Sequence, residues 1–186
     1  MAGLATKLTI LRVALIPLFA LFYYCHPESW GQWLALWVYV IACVTDYFDG
    51  YLARRMKEVS AFGAFLDPVA DKLMVCVILV IVLSHFPEQW LLLCTLIIIA
   101  REIWISALRE WMASMNMRDV VAVGKVGKWK TTAQMLALGF LIFREPFIGL
   151  PIWQIGQVLL IIAAALTLYS MLLYTQQAWQ ALNQTK

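Results

Sequence analysis

DYFDGYLARRMKEVSAFGAFLDPVAD, residues 46–71, sets four aspartates and three basic residues in a chain that is oily almost everywhere else. Of the 186 residues, 63% are hydrophobic and 13% charged, about half the charged share of a soluble domain. This composition predicts an integral membrane protein, so the charge in 46–71 needs a reason. The net charge of +3 is small, gives no ground for a nucleic-acid partner, and matters through its placement. No Ser/Gly/Pro-rich linker, low-complexity tract or fixed-period repeat divides the sequence. A single domain over residues 1–186 is expected.

Apolar segments run at about residues 8–25, 31–53, 66–84, 90–113, 131–149 and 151–178, each near the ~20 residues a helix needs to cross a bilayer. The predicted fold is all-α and polytopic, with six transmembrane helices and both termini on one side. The prolines of PFIGLP, 146–151, mark the turn between the last two helices. Lysines and arginines outside the apolar segments gather at the termini and in the second and fourth connections, as in Arg54, Arg55 and Lys57. The other three connections hold only Arg144. By the bias of basic residues, the termini and the 46–71 region are cytoplasmic. YYCHPESW lacks a small-residue cleavage pattern, so the first segment is expected to stay as a helix.

The cysteines at 25, 43, 76 and 94 have no CxxC spacing and no histidines to complete a metal site, and they read as small buried apolar residues. A Cys25–Cys94 disulfide at the outer face is open to the topology but is not expected. His26 and His85 lie in outer connections and carry no assigned chemistry.

Asp46 and Asp49 are three residues apart near the end of the second segment, and Asp67 and Asp71 four apart at the start of the third. Each pair therefore shares a helical face, with about 5–6 Å between side-chain origins. A carboxylate at the centre of a membrane helix costs about 2.5–3.5 kcal/mol, less near the interface, and four together also repel one another. Divalent cations relieve both penalties: magnesium takes oxygen ligands at about 2.0–2.1 Å, and two such ions clamp both sides of a phosphoryl displacement. The plainer reading pairs the aspartates with Arg54, Arg55, Lys57 and Lys72, or makes Asp67 a helix N-cap ahead of Pro68 at the first helical position.

The pattern Asp46-x2-Asp49-Gly50-x2-Ala53-Arg54-x8-Gly63-x3-Asp67-x3-Asp71 resembles, at every fixed position, the signature of the CDP-alcohol phosphotransferase family. Its members move a substituted phosphoryl group from a CDP-linked donor to an alcohol. The resemblance implies that Asp46, Asp49, Asp67 and Asp71 hold two divalent ions, Mg²⁺ with Mn²⁺ as a substitute, and that Asp71 is also the base. It implies that Gly50 and Ala53 leave room for the cytidine nucleotide and that Arg54 meets the donor diphosphate, a task suited to a planar, always charged guanidinium. Gly63 is read either as a point of close approach or as a simple turn residue.

IIIAREIWISALREWMA, 97–113, puts Arg101, Glu102, Arg109 and Glu110 in an apolar helix, and intramembrane charges of this kind face a cavity and a partner. Lys125, Lys128, Lys130 and Thr131 follow where the fifth helix begins. They read as a cationic pocket facing the metal site and holding a phosphorylated alcohol through Arg101, Arg109, Lys128, Lys130 and Thr131. The plainer reading is cytoplasmic charge contacting anionic lipid. Both blocks resemble those of family members that act on glycerol 3-phosphate, as does LTILRVALIP with Thr9 and Arg12. Relatives often carry Asn-x-Pro just upstream, where this chain has GLA at 3–5.

The resemblance implies transfer of a phosphatidyl group from CDP-diacylglycerol to glycerol 3-phosphate, in a homodimer of the bacterial inner membrane. Direct attack is expected, since no Ser, Cys or His nucleophile accompanies the aspartates. The rivals are the same chemistry with inositol phosphate or serine as acceptor, and a divalent-cation carrier. Against the carrier, the aspartates cluster near one side and no inverted repeat is apparent.

Overall fold

The computed structural model describes residues 4–25, 29–56, 61–117 and 125–184. They form six helices and no strands: α1 Leu4–Cys25, α2 Ser29–Met56, α3 Ala61–His85, α4 Gln89–Ser114, α5 Lys125–Phe143 and α6 Ile152–Gln184. Three helices contain stretches long and apolar enough to cross a membrane, Lys7–Tyr24, Gln89–Ser114 and Ile152–Asn183, with a shorter one at Lys130–Phe143. The character of α4 explains why. It buries Leu91 and Ile98 while exposing Leu92, Leu93 and Leu96, so its first half is apolar all round, as a helix in lipid is and a surface helix in water is not. The all-α membrane fold is as expected.

Helix boundaries depart from the sequence reading at two places that bear on function. The third helix begins at Ala61 rather than near 66, so Pro68 lies inside it and Asp67 is not its N-cap. AFGAFL extends the apolar run upstream, and although Phe62 and Phe65 are exposed, continuing the helix through it satisfies the backbone of an apolar stretch and overrides the local capping signal. Pro17 in α1 is likewise internal. An internal proline costs about 3 kcal/mol in an ordinary helix, but membrane helices tolerate it because neighbouring groups take up the freed carbonyl. The fifth helix starts at Lys125 rather than near 131, which places Lys125, Lys128 and Lys130 on the helix instead of in the connection before it. It also ends early, at Phe143. Phe147 and Leu150 exchange both backbone hydrogen bonds, at 3.2 and 3.0 Å, around Ile148 and Gly149, which both have positive φ. This is the pattern of a type I′ turn.

The helices divide into two compact units, one of Met1–His85 with Gly139–Trp153 and one of Phe86–Leu138 with Gln154–Lys186. In the first unit α1 packs against both α2 and α3. Phe19, Tyr23, Ala35, Val38, Tyr39, Ala42, Ile78 and Leu79 are buried there, the alanines letting backbones approach. At the end of α1 away from Arg12, the Tyr24 hydroxyl lies 2.6 Å from that of Ser84. His85 packs edge-on to Tyr23 at 4.7 Å, and the Arg144 guanidinium sits 4.9 Å over the Tyr23 ring. These contacts fasten the helix ends and leave His85 a packing role. Cys94 is a free, buried thiol, so it forms no disulfide with Cys25.

In the second unit Ile105, Leu108 and Met112 of α4 pack on Tyr174 and Ala178 of α6, and the Trp104 indole N–H donates to the Thr175 hydroxyl at 2.9 Å. α4 ends in a Schellman motif. Asn116 takes the left-handed conformation, φ 60°, Met117 N–H bonds Met112 O at 2.9 Å, and Asn116 N–H bonds Ala113 O at 3.1 Å.

Candidate active site

In the first unit, three helices bring one cation and three anions together. Arg12, on α1, is surrounded by apolar neighbours in sequence and is 1% exposed. A guanidinium in that position keeps its charge, because it does not deprotonate, and must find anions. It finds them on α2 and α3. Arg12 Nη1 lies 2.7 Å from Asp46 Oδ1 and 3.3 Å from Asp67 Oδ1, and it donates to Asp71 Oδ1. The four-residue spacing of Asp67 and Asp71 does what the helical period predicts, presenting both carboxylates to one point. Asp46 joins them from the facing helix.

The aspartate side chains are 31–47% exposed, so the acidic side of the cluster is open while the arginine side is closed. One carboxylate oxygen from each of Asp46, Asp67 and Asp71 lies within 4.8 Å of the others. Ligands on opposite sides of a magnesium ion stand about 4.2 Å apart, twice the bond length. Three hard, anionic oxygens at this spacing fit a divalent cation with little movement, and among the described residues the charge agrees: three carboxylates face one guanidinium.

The rest of the signature is only partly placed. Asp49, Gly50, Ala53 and Arg54 fall on the last part of α2, and their side chains lie outside the described residues. So do those of Arg55 and Lys57, two of the pairing partners considered for the aspartates. Gly63 is buried in the first turn of α3, which fits close approach and not a turn in the connection.

The second unit carries a cluster of opposite sign. Glu102 Oε1 accepts from Arg101 Nη1 at 3.1 Å and from Lys130 Nζ at 2.5 Å. Arg101 Nη2 reaches the Ser170 hydroxyl at 3.4 Å, and that hydroxyl donates to Thr167 O at 2.9 Å. Arg101 and Lys130 are both buried. Lys130 is buried because α5 begins early and carries it inside as a helical residue. Two cations against one carboxylate leave positive charge in a low-dielectric setting, which is suited to an anion. Of the other basic-pocket residues, Arg109 and Thr131 are exposed, and the side chain of Lys128 lies outside the described residues.

The sequence pattern gives neither Arg12 nor Glu102 a role in a site, and nothing in it singles out Ser170. A signal existed for Arg12: an arginine deep in an apolar helix demands an anion, and the aspartates are the chain's densest acidic group. For Ser170, a serine in an oily helix carries no such demand.

The family model described as CDP-alcohol phosphatidyltransferase matches residues 2–169. A protein of Shigella flexneri named CDP-diacylglycerol–glycerol-3-phosphate 3-phosphatidyltransferase is 49% identical over 178 residues, 95% of this chain and 94% of its own length. A protein of the same name from Escherichia coli is also 49% identical over the same shares of both chains. By that match and these identities, this chain belongs to the CDP-alcohol phosphatidyltransferase family.

Proposed function

We propose that this protein transfers the phosphatidyl group of CDP-diacylglycerol to glycerol 3-phosphate, giving phosphatidylglycerophosphate and CMP, the phosphatidylglycerophosphate synthase reaction of anionic phospholipid synthesis. The observation that carries the reading is the convergence of Asp46, Asp67 and Asp71 from two helices onto one point. It is supported by relatives of that name at 49% identity over 95% of the chain.

In this reading Asp46, Asp49, Asp67 and Asp71 hold two Mg²⁺ ions. When bound, the ions supply neutralisation of the donor diphosphate and of the charge growing on the CMP leaving group. Gly50, Ala53, Arg54 and Gly63 bind the CDP part of the donor. Arg101, Arg109, Lys128, Lys130 and Thr131 hold the acceptor phosphate, with Arg101 and Lys130 as its buried contacts. Asp71 takes the proton of the acceptor hydroxyl, whose oxygen bonds to the β-phosphorus as the bond from that phosphorus to CMP breaks. No covalent enzyme intermediate is needed, so one inversion at phosphorus is expected. The working form is a homodimer in the bacterial inner membrane, with six spans and with termini and site cytoplasmic. Cysteines replacing Glu58 and Ala122 should resist an impermeant thiol reagent outside intact cells, whereas Glu88→Cys should react. Labelling at 58 from outside would reverse the orientation.

The deciding experiment supplies purified protein in mixed micelles with CDP-diacylglycerol and one acceptor at a time. CMP release is expected with glycerol 3-phosphate and not with serine, inositol phosphate or glycerol. Release with serine or inositol phosphate in its place would keep the chemistry and change the acceptor. No release with any alcohol would overturn the transferase reading and favour cation transport.

A further inference from the structure

We infer that Arg12 is a resident counter-cation of the aspartate cluster, competing with an incoming divalent ion for Asp46, Asp67 and Asp71 and so weakening the metal affinity of the protein. The inference rests on the metal role proposed for these aspartates and assigns a function to a residue outside the signature.

The geometry is that of a shared seat. The oxygens that fit a cation are the ones Arg12 Nη1 already approaches, at 2.7 Å for Asp46 and 3.3 Å for Asp67, with a hydrogen bond to Asp71 besides. One Nη atom carries two hydrogens, so it cannot give three carboxylates a full hydrogen bond each. At least two of them must share a hydrogen of Nη1 or stand at a longer contact, as Asp67 does at 3.3 Å. A metal ion has no such limit and takes all three oxygens at once. The two cations therefore contend for the same lone pairs.

Charge sets the outcome. Arg12 already offsets part of the negative charge of Asp46, Asp67 and Asp71, so less of it is left to attract an incoming ion. Being 1% exposed, Arg12 cannot withdraw into water, and its charge stays near the ion. Like charges a few ångströms apart in a partly desolvated site repel strongly. Without metal, the same arginine joins α1 to α2 and α3 and relieves repulsion among the aspartates. Arg12 thus stabilises the metal-free protein and makes metal binding weaker and more readily reversed.

The test is a Mn²⁺ titration of metal-stripped full-length protein in detergent, followed by the EPR signal of free Mn²⁺, with thermal unfolding measured in parallel. Arg12→Gln should bind Mn²⁺ about tenfold tighter or more. Its metal-free form should unfold at lower temperature than the unaltered protein, and Mn²⁺ should raise its Tm by more. Arg12→Lys keeps the charge on a shorter arm and should fall between the two in affinity, so it carries the test if the glutamine variant does not fold. Equal or weaker Mn²⁺ binding by either variant would overturn the inference and make Arg12 a scaffold for the ligands. Absence of Mn²⁺ binding by the unaltered protein would instead overturn the metal reading itself.

Discussion

Unit one gathers three carboxylates around one guanidinium, and unit two gathers an arginine and a lysine around one carboxylate. Both clusters tie helices together, and both are built in apolar surroundings where isolated charge is costly. A cluster serving stability alone has no reason to stop short of neutrality, because a buried ion pair at best roughly breaks even against a hydrophobic replacement. Among the described residues each of these stops short, in opposite directions. In the proposed reading a ligand meets the residual sign: a divalent cation for the aspartates and a phosphate for Arg101 and Lys130. The minority ion in each, Arg12 or Glu102, stands where part of that ligand's charge belongs.

The contrast breaks first, and by the largest factor, at the aspartates. Asp71→Asn can neither take the acceptor proton nor offer an anionic ligand, and kcat is expected to fall about 10²–10⁴-fold in protein that remains folded in detergent. Near-normal turnover by purified Asp71→Asn or Asp67→Asn would remove the reason for treating the two clusters as different.

The basic cluster should respond in a different parameter. A charge-assisted hydrogen bond to phosphate contributes about 1.5–3 kcal/mol, so Lys130→Ala is expected to raise the acceptor KM by about one to two orders of magnitude. The CDP-diacylglycerol KM should hold. Steady-state kinetics with each substrate varied in turn check this. A shift in the donor value alone would reassign Lys130 to the donor site, and no shift in either would return the cluster to lipid contact.

A smaller effect sharpens the role of the minority ion. Glu102→Gln leaves Arg101 and Lys130 facing each other without an anion, expected to cost about 1–3 kcal/mol, or about 2–4 °C of Tm for each kcal/mol in a chain of this length. Inorganic phosphate or glycerol 3-phosphate should restore more Tm to this variant than to the unaltered protein. Equal ligand effects on the two would mean that Glu102 and the phosphate do not share a seat.

What could be read in the sequence depended on how far apart the partners lie along it. Asp67 and Asp71 were legible because one helical turn separates them and periodicity alone puts them on one face. Arg101 was legible as a charge too deep to be idle, and Lys130 only as one of a basic run where the fifth helix begins. Their arrangement was not, since Lys130 meets Glu102 across 28 residues and Arg101 meets Ser170 across 69, and no local rule speaks to either. Arg12 reaches Asp71 across 59 residues. The start of α3 misled for the reverse reason. Asp67-Pro68 is a strong local capping signal, and it lost to continuation of the helix through the apolar stretch AFGAFL, which keeps its backbone hydrogen-bonded.

The central claim, that the converging carboxylates make this chain a metal-dependent phosphatidyltransferase, is tested most directly by one assay of CMP release. Purified protein is given CDP-diacylglycerol and glycerol 3-phosphate in excess EDTA, and Mg²⁺ is then added beyond the chelator. Release should be absent before the addition, appear after it, require glycerol 3-phosphate, and stay absent throughout in Asp67→Asn. Release at the same rate in EDTA, or in Asp67→Asn after Mg²⁺, would contradict the account.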